Sequence, residues 1–93
     1  MNNVGDIIRL EEGKAIILGT FDDNNIKYLF VNIVSEDETT NTQDFYLLID
    51  NKDNTFTKIV DENEVNRLMP KVQAALLHSM EDMGIDPNST VQQ

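Results

Sequence analysis

The stretch IKYLFVNIV, residues 26–34, constrains the fold more than any other part of the chain. In an extended conformation Ile26, Tyr28, Phe30 and Val34 share one face, while Leu29, Val31 and Ile33 share the other. Both faces are apolar, so the segment has to be a central strand covered on two sides. Residues 26–34 at ~3.3 Å each span about 30 Å, and a chain of 93 residues packs to a radius of gyration of roughly 12 Å. A strand as long as the domain is wide must curve or bulge. That favours a coiled sheet or small barrel over a flat sheet.

The segments around it read as its neighbours. Residues 6–10 form a first strand, and Glu11-Glu12-Gly13 supplies a tight turn with a glycine free to take positive φ. Residues 14–21 form a second, with Gly19 marking a bulge or sharp bend. Asp22-Asp23-Asn24-Asn25 turns the chain with residues that tolerate the left-handed region. Residues 35–43 are expected to be a polar, mobile loop, 45–49 a fourth strand and 55–60 a fifth. Short connections between successive strands imply an antiparallel meander.

The period then changes from 2 to 3.6. Asp61 is placed as an N-cap, with Glu64 at the capping-box spacing. Val65, Leu68, Met69, Val72, Leu76, Met80 and Met83 follow at helical intervals, and Gly84 marks a stop. Pro70 interrupts the pattern without changing its phase. An unbroken helix over residues 62–83 would be about 33 Å long, so two helices meeting at Pro70 are expected, with a single kinked helix as the close alternative. Residues 1–83 form one domain in this reading, and 84–93 a flexible tail.

Charge and composition then exclude function classes. The 17 Asp and Glu outweigh 7 Lys and Arg, for a net charge of -10. That repels nucleic acid and anionic membrane alike. There is no Cys, so disulfides and thiol chemistry are excluded. No apolar run approaches the ~20 residues of a membrane span, and the expected location is cytoplasmic. Residues 1–50 carry ten acids and three bases, net -7, and residues 51–93 seven and four, net -3. The excess negative charge belongs to the strand turns and the long loop.

No residue pattern points to catalysis. His78 is the single histidine, three and four residues before Glu81 and Asp82, and reads as a helix-surface side chain because no nucleophile or orienting carboxylate is set around it. Asp50-Asn51-Lys52-Asp53-Asn54 resembles the start of a calcium loop, but Lys52 takes the third ligand position, Thr55 replaces the glycine and no Glu stands twelfth. The glycines are isolated, so there is no phosphate-cradling loop. No cofactor and no metal are expected, and the protein is not expected to be an enzyme.

The softest apolar cluster is in the helical region, where Met69, Met80 and Met83 stand with Leu76 and Leu77. Leu76 and Leu77 point about 100° apart, so the apolar stripe widens there. Leu76, Leu77, Met80 and Met83 are the candidate contact residues for a protein partner or a second copy of the chain. Glu36, Asp37 and Glu38 in the long loop are the candidate steering charges.

The opening Val4-Gly5-Asp6-Ile7-Ile8-Arg9-Leu10-Glu11-Glu12-Gly13-Lys14, with Ile16-Ile17-Leu18-Gly19-Thr20-Phe21 and Lys27-Tyr28-Leu29-Phe30-Val31, resembles small acidic proteins of unknown function from Gram-positive bacteria and their phages. Its first strands are also similar to those of SH3-like small barrels. The resemblance implies no functional residues. Taken together, the expected fold is α+β: a curved five-stranded antiparallel sheet, or partly open SH3-like barrel, with a C-terminal helical segment. The expected function is a non-catalytic interaction module. The alternative is a phage-type acidic inhibitor whose carboxylates imitate phosphates in the basic groove of a nucleic-acid-handling enzyme, such as a CRISPR or restriction nuclease. Mimicry requires the acids to share one face, whereas a meander puts the turn at Glu11 and Glu12 and the turn at Asp22 and Asp23 at opposite ends.

Overall fold

The structure, a computed structural model, describes residues 2–82. Five strands, β1 (Ile7–Leu10), β2 (Gly13–Asp23), β3 (Ile26–Val34), β4 (Asn41–Asp50) and β5 (Phe56–Lys58), precede one helix, α1 (Glu62–Asp82). The strands pair antiparallel in the order β1-β2-β3-β4-β5. This is the expected α+β meander, curled into a half-barrel with β3 at its centre.

The tight turns follow from their residues. Leu10 pairs with Gly13 and Asp23 with Ile26, so both hairpins close over two residues. Asn24 and Asn25 both take positive φ, 53° and 66°, as a two-residue hairpin of matching twist requires. Gly13 takes φ 134°, closed to most side chains.

Both faces of β3 are buried. Leu29 and Val31 are fully buried among Ile8, Ala15, Ile17, Ile33 and Leu48, inside the curl. Tyr28 faces the other way and is buried with Leu47, Leu68 and Val72 beneath the helix. β1 and β5 are not paired with each other; the curl closes there through side chains. Leu10 and Phe56 pack against the inner cluster, the Lys58 ammonium is bonded to Glu12, and it lies 4.4 Å from the centre of the Tyr46 ring.

Gly19 does mark a bulge: the β2–β3 register shifts between Ile17 and Gly19. It also lets the helix approach. A Cβ at position 19 would stand 3.2 Å from the Ala75 Cβ, tighter than ordinary contact.

Three expectations need correction. The helix is single and unbroken through Pro70, not two helices. At about 1.5 Å per residue its 21 residues span roughly 31 Å, which fits a molecule 42 Å in its longest dimension. Pro70 and Asn66, the residue whose carbonyl loses its donor, are both exposed, so no buried group is orphaned. Second, β4 starts at Asn41 rather than Phe45, and the loop shrinks to residues 35–40. Third, the capping box forms only in half. Asp61 accepts the Asn63 N–H at 2.9 Å, but Glu64 turns to Arg67, whose Nε donates to it at 2.7 Å. The stop at Gly84 and the tail at 84–93 lie outside the described residues.

Candidate interaction surfaces

The apolar flank of α1 is set by its own period. Leu68 and Val72 face the sheet and are buried, and Leu76, one turn further, packs against the same cluster. Met80, four residues on, is half-buried, while Leu77, about 100° round the helix, is 48% exposed. Met83 lies outside the described residues. Leu77 is therefore the outer rim of the flank, and Leu76 is mainly core.

Phe45 escaped the sequence reading as a surface residue. It is 50% exposed, and its ring stacks on Phe30 with centroids 5.7 Å apart and planes 6° off parallel. Phe30 itself packs against the cluster that holds Leu76. Phe45 was legible as the start of an apolar strand; nothing local indicated that the helix would leave it uncovered. Val60, 81% exposed in the connection to α1, was likewise read as strand.

The acids of the long loop are more engaged than their composition suggests. Glu36 accepts Arg9 Nη2 at 3.1 Å, and its backbone carbonyl accepts Lys14 Nζ at 2.8 Å. Lys14 also bonds Glu38 at 3.0 Å. Asp37 caps its own loop: one carboxylate oxygen accepts the hydroxyls of Ser35 and Thr39, both at 2.7 Å. The Ser35 hydroxyl foremost, then that of Thr39 and its N–H, lower the Asp37 pKa to about 2. These contacts bring the loop to the β1–β2 turn, so Glu11, Glu12, Glu36 and Glu38 gather at one end of the sheet.

Asp22 and Asp23 lie at the far end of the eleven-residue β2, as a meander requires. Asp23, with a side chain only 12% exposed, accepts Lys71 at 3.1 Å and Arg67 at 3.0 Å, and those two bonds hold its carboxyl below the ordinary range. It fastens α1 to the sheet. At the same end, Asp50 accepts the Lys52 N–H at 2.8 Å and Asn2 Nδ2 at 3.2 Å, and Asp53 accepts Thr55. The carboxylates of the calcium-loop lookalike are turn-formers.

His78 is exposed and lines an open cleft of about 480 Å³ with Asn3, Val4, Gly5, Thr20, Ala75 and Ser79. The Ser79 hydroxyl donates to the Ala75 carbonyl at 3.0 Å, so it is committed to the helix backbone. Among the described residues, no three His, Asp or Glu side chains converge to hold a metal. Among them also, no helix is long and apolar enough to cross a membrane. No family model, curated protein or solved structure matches the chain.

Proposed function

We propose that the protein is a non-catalytic interaction module of the cytoplasm. It docks on a protein partner, or on a second copy of itself, through the rim of α1, and its net charge of -10 steers the encounter and keeps nucleic acid and anionic membranes away. The observation that carries this reading is Leu77, 48% exposed beside half-buried Leu76 and Met80 on a helix whose buried side is already filled by the sheet. Because Leu77 is half in solvent, Leu77→Ala is expected to change folding stability by less than about 0.5 kcal/mol. Combined with Met80→Ala it is expected to lower the mass in solution or abolish capture of the partner. Unchanged mass and unchanged capture together would overturn the reading.

The acidic-inhibitor alternative gains one observation, the gathering of Glu11, Glu12, Glu36 and Glu38 at one end. It also meets an obstacle there. Arg9, Lys14 and Lys58 interleave with those acids and occupy three of them. Reversing Glu36, Asp37 and Glu38 to Lys separates the two: a phosphate mimic loses its target, and a helix-docked module keeps its partner.

A further inference from the structure

β4 is longer than the strand that covers it. β5 pairs with Leu48, Ile49 and Asp50, and the Ile59 N–H then donates to the Leu47 carbonyl at 2.9 Å. Beyond that point, among the described residues, no strand pairs with the outer side of β4 over residues 41–46, where Asn41, Gln43, Asp44 and Phe45 are all exposed.

The buried side chain of Asn32 decides how this open segment presents its backbone. Only 2% exposed, it donates Nδ2 to the carbonyls of Thr42 at 2.9 Å and Asp44 at 3.1 Å, and its Oδ1 accepts Asn41 Nδ2 at 2.6 Å. The carbonyls of Thr42 and Asp44 therefore point towards β3. By the two-residue alternation of a strand, the N–H and C=O groups of Gln43 and Phe45 point away from it, in line with the Leu47 carbonyl that meets Ile59. The register slip between Asn32 and Val34 sets Ile33 against residues 42–44, two extra residues in β4, an even number that keeps the alternation of its backbone groups. The outer edge therefore turns two donors and two acceptors, those of Gln43 and Phe45, away from β3, and among the described residues no strand pairs with them.

We propose that this edge of β4 accepts a strand from a partner, and that the strand is an extended cationic segment, with Lys or Arg alternating with apolar residues. Backbone pairing supplies the affinity and the flanking side chains the choice of partner. The rim is anionic. Asp44 is exposed on the edge itself, and Asp61 and Glu62 are exposed in the chain that follows Ile59, the last residue bonded to β4. Lys58, the base beside Tyr46, is already bonded to Glu12. The half-exposed Phe45 ring offers the incoming strand an apolar cross-strand neighbour. A second copy fits worse, because it would set this rim against itself with -10 on each chain. The inference rests on the reading of the chain as an interaction module, but it uses a surface apart from Leu77 and Met80.

The test uses a seven-residue peptide of alternating Lys and Val, titrated into ¹⁵N-labelled full-length protein. Expected are shifts centred on residues 41–46 and slowed amide exchange at Gln43 and Phe45. Gln43→Pro removes an outward N–H and leaves the β3 ladder intact, as proline at an edge allows; it is expected to weaken binding at least tenfold. Gln43→Ala and Leu77→Ala are expected to bind as the parent does, which separates this edge from the α1 flank. Three outcomes overturn the proposal: equal binding by Gln43→Pro, equal binding of an alternating Lys-Pro peptide by the unmodified protein, or no binding at all. So does a dimer in the absence of peptide that Gln43→Pro abolishes, since it would seat a second copy on the edge.

Discussion

Inside the curl, the apolar layer is made of strand residues spaced two apart, such as Ala15 and Ile17 on β2 and Leu29, Val31 and Ile33 on β3. On the other face, Tyr28 and Leu47 are covered only because Leu68 and Val72 arrive from the end of the chain. The inner layer is enclosed by the sheet's own curvature and bridged between β1 and β5 by side chains, with Lys58 bonded to Glu12. The outer layer depends on a helix that fits closely over Gly19 and is fastened by Asp23 to Lys71 and Arg67. One layer follows from strand pairing, and the other is a docking event within the chain. The difference shows where this protein has surface to spare: the helix covers the middle of the outer face and leaves Phe45 at its margin.

The strongest way to break that comparison is to empty each layer in turn. Leu68→Ala and Leu29→Ala, both at fully buried positions, are each expected to cost about 3 kcal/mol in denaturant unfolding. A loss below about 1 kcal/mol for Leu68→Ala would show that the outer layer is dispensable and that the two layers are not one cooperative unit.

Smaller changes sharpen the account of the helix. Pro70→Ala restores a donor at an exposed position inside α1 and is expected to raise stability by about 2 kcal/mol. Gly19→Ala pushes a methyl against Ala75 and is expected to cost about 1 kcal/mol. Its effect on amide exchange should be larger in α1 than at Leu29 and Val31. Equal acceleration in both places would mean that the helix is not the element displaced.

The smallest effect is local and depends on pH. The Asp37 carboxyl, at about 2 in the folded protein, lies below the ~3.9 of an unfolded aspartate. Its contribution to loop order is therefore complete above about pH 4 and is lost as the pH falls towards 2. An NMR titration should place its midpoint near 2, and Ser35→Ala should move that midpoint up, because the Ser35 hydroxyl is the largest cause of the shift. A midpoint unaffected by Ser35→Ala would detach the loop from this network.

Much of the sheet was legible because its signals are local. Alternation gave β3 to the residue, and turn chemistry located both hairpins, although Asp22 and Asp23, expected in the turn, extend β2 and leave only Asn24 and Asn25 to reverse the chain. β4 was cut short because Asn41, Thr42, Gln43 and Asp44 are polar and carry no alternation. They join the strand because the amide of Asn32, reaching from β3, bonds the carbonyls of Thr42 and Asp44. Pro70 misled for the opposite reason. A helix breaker is a local signal, and burial of Leu68 and Val72 on either side of it outweighs the one missing hydrogen bond.

The candidate surfaces divide the same way. Leu76, Leu77 and Met80 could be placed on one flank from the helical period alone, but which of them is covered depends on where the helix crosses the sheet. Only the fold shows that Leu76 lies over Gly19 and that Leu77 stays in solvent. The loop acids follow the same logic, since the pairing of Arg9 with Glu36 and Lys14 with Glu38 joins residues 27 and 24 positions apart. The sequence by itself determined a curved antiparallel meander, its two-sided central strand, an acidic surface and an amphipathic helix, because each depends on residues near one another in the chain. The tertiary structure decided the unbroken helix, the length of β4, its open edge and the residues left uncovered, because each depends on which groups distant parts of the chain bring to meet them.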